Sequence, residues 1–165
     1  MGIRNLLVGI LLVGLVSGAG YFAYHYIVLP RHQCEICGRA VHAEHYSSVA
    51  LKSGRQIEAC CPRCAMHYEL NMPGQVARLL VADNSTGQTI EAQMATYVEG
   101  SDQHPCMSTS DTAPREPGVE YDLKYDRCLP SLIAFKDEAA ARSFQGQHGG
   151  RLLSFAQALE SVKHR

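Results

Sequence analysis

Five cysteines fall in two clusters, Cys34-Glu35-Ile36-Cys37 and Cys60-Cys61-Pro62-Arg63-Cys64. Each cluster holds a C-x-x-C pair, and the stretch between them is long enough for a β-hairpin. Thiolates gathered this way suit Zn²⁺ or Cu(I), because sulfur is a preferred donor for both. Two such pairs specify a thiol-rich centre far better than one. The reading of the residues names Cys34, Cys37, Cys64 and one of Cys60 and Cys61 as ligands. A structural site needs only four thiols. A fifth would let an ion move by ligand exchange, which suits a carrier. Two other readings stay open at this stage. One is a structural four-cysteine zinc site in an interaction module. The other is a thiol–disulfide oxidoreductase built on Cys61-Pro62-Arg63-Cys64, with Cys61 as the nucleophile at a helix start.

The elements that would position these thiols can be read in outline. The stretch 42–52 has strand character, Ser53-Gly54 is a turn signal and 55–59 is the return strand. Pro62 suits a first helical turn, and the helix runs on to Leu70, before Pro73-Gly74. Its i,i+3 spacing puts the sulfurs of Cys61 and Cys64 on one face. The helix dipole there favours thiolate. Strands follow at 75–82 and 89–98, around the turn Asp83-Asn84-Ser85-Thr86-Gly87. Residues 99–126 form a long polar loop, a candidate docking surface that carries Cys106-Met107, with Cys128 just beyond it. Cys106 and Cys128 are expected either to pair as a disulfide or to form a second soft-donor site. A strand at 131–135, a helix at 137–147, a short strand at 151–153 and a helix capped by Ser154 complete the chain.

The fold expected is α+β: hairpin, helix and strand, then strands, helix, strand and helix. The expected divisions are an N-terminal transmembrane anchor at 1–30, a cysteine-rich metal-binding half at 31–80, and a second α+β half at 81–165. The anchor is read from Leu6 to Leu29, which hold no Asp, Glu, Lys or Arg. As one helix this run would span roughly 36 Å, against a hydrocarbon core of about 30 Å. A single-pass membrane protein with its C-terminal domain outside the cytoplasm, in the periplasm, is the corresponding expectation. Formal net charge is −1 and no basic tract occurs, which argues against nucleic acid as a partner. No Ser-His-Asp set, phosphate-binding glycine loop or acid–base carboxylate pair stands out, so neither an enzyme nor a small-molecule substrate is expected.

The residues also carry resemblances. Cys37, Cys60 and Cys64 fit a C-x22-C-x3-C pattern like that of TRASH-type metal-binding domains. A longer likeness runs through Cys34-Glu35-Ile36-Cys37-Gly38, Val81-Ala82-Asp83-Asn84-Ser85-Thr86-Gly87 with Ile90-Glu91-Ala92, Ala95-Thr96-Tyr97-Val98 and 128–135. It ends in Phe144 and Gly149-Gly150-Arg151-Leu152-Leu153-Ser154-Phe155. These segments resemble the NosL family of nitrous oxide reductase accessory proteins. The resemblance implies two small α+β halves and delivery of Cu(I) to a client copper enzyme, nitrous oxide reductase or similar. It carries Cys37 over as a ligand. The chain departs from that family at Arg39, where the family's metal motif has methionine, and at Cys128, where a second methionine would lie. Cys34, Cys60, Cys61 and Cys64 are additional thiols.

Overall fold

The computed structural model describes residues 2, 13–21, 33–42, 44–106 and 126–164. The chain divides into two compact units, Met1–Arg31 and His32–Arg165. In the first, residues 13–21 are helical and exposed. The rest of the expected anchor lies outside the described residues. Among the described residues no helix is long and apolar enough to cross a membrane. The expected single-pass anchor, and the membrane location that rested on it, are corrected accordingly. A span needs an unbroken helix of about twenty residues as well as apolar composition. Gly14, Gly18 and Gly20 fall among the described helical residues, and each costs about 1 kcal/mol of helix stability relative to alanine.

The second unit is α+β, as expected, with two antiparallel sheets. Strands β1 (Ser47–Leu51) and β2 (Gln56–Ala59) form a hairpin, and helix α1 (Pro62–Asn71) follows. Strands β3 (Val76–Ala82) and β4 (Thr89–Glu91) complete a four-stranded sheet of order β2-β1-β3-β4. The strand expected over 89–98 is broken by a 3₁₀ turn at Ala92–Met94, which the Tyr97 hydroxyl secures by donating to the Ala92 carbonyl at 2.7 Å. Beyond the turn, β5 (Thr96–Glu99) joins a different sheet. A one-strand reading missed this because alternation alone does not reveal a change of partner.

That second sheet has the order β6-β5-β7, with β6 at Leu132–Phe135 and β7 at Arg151–Leu153. Helices α2 (Glu138–His148) and α3 (Phe155–Lys163) flank β7 in sequence. Period-two alternation gives the sheet two buried faces. Tyr97, Leu132, Ala134 and Leu153 face the main core shared with α1, α3 and the first sheet. Val98, Ile133 and Phe135 face Ala141 of α2 in a smaller core. Gly150 is required between α2 and β7. Its φ is +91°, and a Cβ there would lie 2.6 Å from the Glu99 carbonyl oxygen.

The sheets are tied at one polar corner. The Asp83 carboxylate accepts from the Thr86 hydroxyl at 2.7 Å and from the Lys136 amide at 3.0 Å, while the Asn84 amide donates to the Ala134 carbonyl at 2.9 Å.

Candidate metal centre

Four pieces of backbone converge on one cluster of sulfur. The first is a tight turn at 34–39, held by Gly38 N–H to the Cys34 carbonyl and Cys34 N–H to the Arg39 carbonyl, both at 2.8 Å. Gly38 takes φ +76°, which suits glycine at the turn's end. The Glu35 amide donates to the Glu58 carbonyl at 3.0 Å and so docks this turn on β2. The second piece is the end of β2 and the start of α1. Cys60 and Cys61 precede Pro62 at the helix start, and Cys64 lies in the first turn. Cys61 occupies the N-cap without a side-chain cap bond, so no side chain of the N-cap residue takes up the amides of the first turn.

Cys106 supplies the third piece, its thiol donating to the Cys60 carbonyl at 3.4 Å. The fourth is the turn at 126–128. Asp126 accepts from the Cys128 amide at 2.8 Å and from Arg39 Nη1, also at 2.8 Å. Arg127 donates to the Ile36 carbonyl at 3.0 Å. The turn carrying Cys128 is thereby latched to the turn carrying Cys37 at two points. Arg39, standing where the NosL pattern has methionine, serves here as an ionic clasp to Asp126.

The sulfur distances match metal-site geometry. A tetrahedron with metal–sulfur bonds of about 2.3 Å has edges of about 3.8 Å. The Cys60 sulfur lies 3.4 Å from Cys37, 3.8 Å from Cys64, 3.7 Å from Cys128 and 3.9 Å from Cys61. Cys128 is 3.7 Å from Cys64 and 3.9 Å from Cys37. The sulfurs of Cys34, Cys37, Cys60 and Cys64 all lie within 4.8 Å of one another, as do those of Cys60, Cys61, Cys106 and Cys128. All seven cysteines are free thiols, and all but the half-buried Cys37 are buried.

The thiols share protons. Cys37 is pushed up by Cys128 but pulled down further by Cys34, Cys60 and Cys64, to about 4. Cys34 is raised by Cys37 and lowered more strongly by Cys60 and Cys64, to about 6. Contacts with Cys106 first and Cys128 next lower Cys61, whereas the same two neighbours raise Cys60. Contact with Cys106 leads the causes that lower Cys128, and contact with Cys128 leads those that raise Cys64. Each lowered group accepts from a raised one. The downward shift at the half-buried Cys37 favours its thiolate, the form that binds metal.

Of the five cysteines named from sequence, the structure brings Cys34, Cys37, Cys60 and Cys64 into one tetrad. It places Cys61 in a second tetrad with Cys106 and Cys128. Cys106 and Cys128, expected to pair as a disulfide or to form a second soft-donor site, are free thiols in one group with Cys60 and Cys61. Met66 is buried in the core and Met72 is exposed on the helix's far end. Met107 and residues 107–125 of the expected docking loop lie outside the described residues.

No family model matches the chain. Comparison with solved structures finds the copper chaperone NosL from Shewanella denitrificans, with a TM-score of 0.57 and 20% sequence identity over 78% of this chain and 90% of that one. That likeness supports a NosL-like fold for residues 32–165, which form one compact unit. By sequence, the chain is 24% identical over 131 residues to the HTH-type transcriptional repressor CutR of Bacillus subtilis (strain 168). That alignment takes in 79% of this chain and 58% of the repressor's length.

Proposed function

We propose that this protein is a Cu(I) carrier that binds the ion through Cys34, Cys37, Cys60 and Cys64 and passes it to another copper-handling protein. The observation that carries this reading is the tetrad itself: four sulfurs from two separate segments, mutually within 4.8 Å, on a NosL-like fold. Soft thiolates favour Cu(I), and spare thiols beside the tetrad allow ligand exchange. Transfer begins at Cys37, the half-buried residue among four of which the others are buried. A partner thiol or thioether there can take one coordination position before the buried donors release the ion. The client is a copper enzyme or another copper protein, with nitrous oxide reductase the example that the family resemblance suggests. Net charge of −1 and the lack of a basic tract give no support to DNA binding.

The tetrahedral edge lengths also suit zinc, and they favour a structural Zn²⁺ site as the second reading. Competition separates the two. The reduced full-length protein is offered Cu(I) and Zn²⁺ together, with a chelator for each. Retention of Cu(I), with a folded apo form on chelation, is the expected result. Preferential retention of Zn²⁺ and loss of a cooperative melt on chelation would establish the structural reading instead. A Cys37→Ser, Cys64→Ser double variant is expected to lose the bound ion, and unchanged metal content in it would exclude the tetrad. The oxidoreductase reading fares worse on geometry. Cys61 and Cys64 are both buried and their sulfurs serve different tetrads, whereas disulfide exchange needs an accessible attacking thiolate.

A further inference from the structure

We propose that the seven cysteines form one polynuclear Cu(I)–thiolate centre that takes at least two ions, with Cys60 as the bridging ligand. This rests on the Cu(I) reading above and goes beyond its single site. The motivating observation is that the two tetrads are not separate. Cys60 belongs to both, and together they use every cysteine of the chain. Cys128, a member of the second tetrad, also lies at tetrahedral-edge distance from Cys37 and Cys64 of the first.

A single ion leaves this arrangement unexplained. Four donors saturate it and ligand exchange needs only one thiol more, yet three further thiols are packed against the tetrad in the interior. Two ions sharing the Cys60 sulfur would lie no more than about 4.6 Å apart, given bonds of about 2.3 Å. That separation fits two tetrads whose sulfurs already touch. Buried charge is costly, and the Arg39 guanidinium, which lies beside Cys128 while clasping Asp126, offsets part of the thiolate charge of the centre. No redox step is involved. Each entering Cu(I) displaces protons from thiols to solvent, copper stays Cu(I) and sulfur stays at the thiolate level.

The test uses the full chain, reduced and titrated with Cu(I) under anaerobic conditions. Metal content and native mass are read at saturation, and X-ray absorption is read for copper–copper scattering. At least two Cu(I) per chain with copper–copper scattering is the expected result. Cys106→Ser should lower the saturating number by at least one while one ion is retained. Cys60→Ser should remove the copper–copper scattering. Saturation at one Cu(I) would overturn the polynuclear centre and leave the single-ion carrier standing. Two ions without copper–copper scattering would show isolated sites and overturn the bridge. Full wild-type stoichiometry in Cys106→Ser would remove the second tetrad. Failure to bind any Cu(I) would sink the carrier reading together with this one. Because the first measurement needs no variant, a substitution that impairs folding does not rescue the proposal.

Discussion

The start of α1 and the start of α3 solve the same physical problem in opposite ways. At α3, Ser154 accepts from the Gln157 amide while the Gln157 side chain accepts from the Ser154 amide, a reciprocal capping box. At α2, the Asp137 carboxylate accepts from the Ala139 amide. At α1, the N-cap is Cys61, it makes no side-chain cap bond, and the first turn holds no acid. The cores around these starts differ in kind as well. Val98, Ile133 and Phe135 pack on α2, and the Phe135 and Phe144 rings lie 5.1 Å apart. Around the α1 start the buried groups are thiols, which act as small apolar side chains with weak hydrogen bonds. One region is held by capped helices and bulky apolar side chains, whereas the other has an uncapped helix start and packs small thiols around it.

Four substitutions probe that contrast, in descending order of effect. Phe135→Ala should cost about 3–5 kcal/mol, through lost transfer energy and a cavity. It should lower the denaturation midpoint yet leave Cu(I) stoichiometry at 25 °C unchanged. A matching loss of copper would mean that the two regions are not independent in the way described.

Glu99→Gln comes next, because Glu99 is where the regions meet. Its carboxylate, 4% exposed, pairs with the fully buried Arg63 of α1 and accepts from Arg151 Nε at 2.7 Å and from Ser161. Removing one charge of a buried pair costs about 3–5 kcal/mol, and the amide's remaining oxygen points to the lower end. The pH dependence follows from the same group. Burial raises the Glu99 carboxyl, but Ser161, Arg151 and Arg63 lower it by more, so it lies below its ordinary value of 4.5. Its stabilising contribution is complete above that value and is lost as pH falls through the depressed one. Wild-type unfolding free energy should therefore drop below about pH 4.5 more steeply than that of Glu99→Gln. Parallel curves for the two proteins would refute the assignment.

The smallest effect is at the caps. Ser154→Ala should cost about 1 kcal/mol, and Asp137→Ala about the same. Both are read by urea titration, and copper binding should not move. A loss near zero at Ser154 would mean that α3 is held by packing alone.

Much of this was legible in the sequence. The capped helices, the 53–54 turn and the Asp83 turn announce themselves through local hydrogen-bonding chemistry, which depends on residues a few positions apart. The C-x-x-C spacings do the same for Cys34 with Cys37 and for the α1 start. The break at Ala92–Met94 was not legible. Nothing in a run of alternating residues says that β4 and β5 pair into different sheets.

The centre divides along the same line. By itself the sequence determined that thiols are concentrated in two segments, which elements carry them, and that the chain follows a NosL-like α+β pattern. Only the tertiary structure decided that Cys60 is shared, that Cys61 and Cys64 part company, and that Cys106 and Cys128 enter the cluster. Cys128 reaches Cys37 across 91 positions of chain, because Arg39, Asp126 and Arg127 latch two turns together. Spacing encodes neighbours within a turn or a hairpin. Which distant thiol completes a cluster depends on how sheets and helices pack, and no local pattern records that.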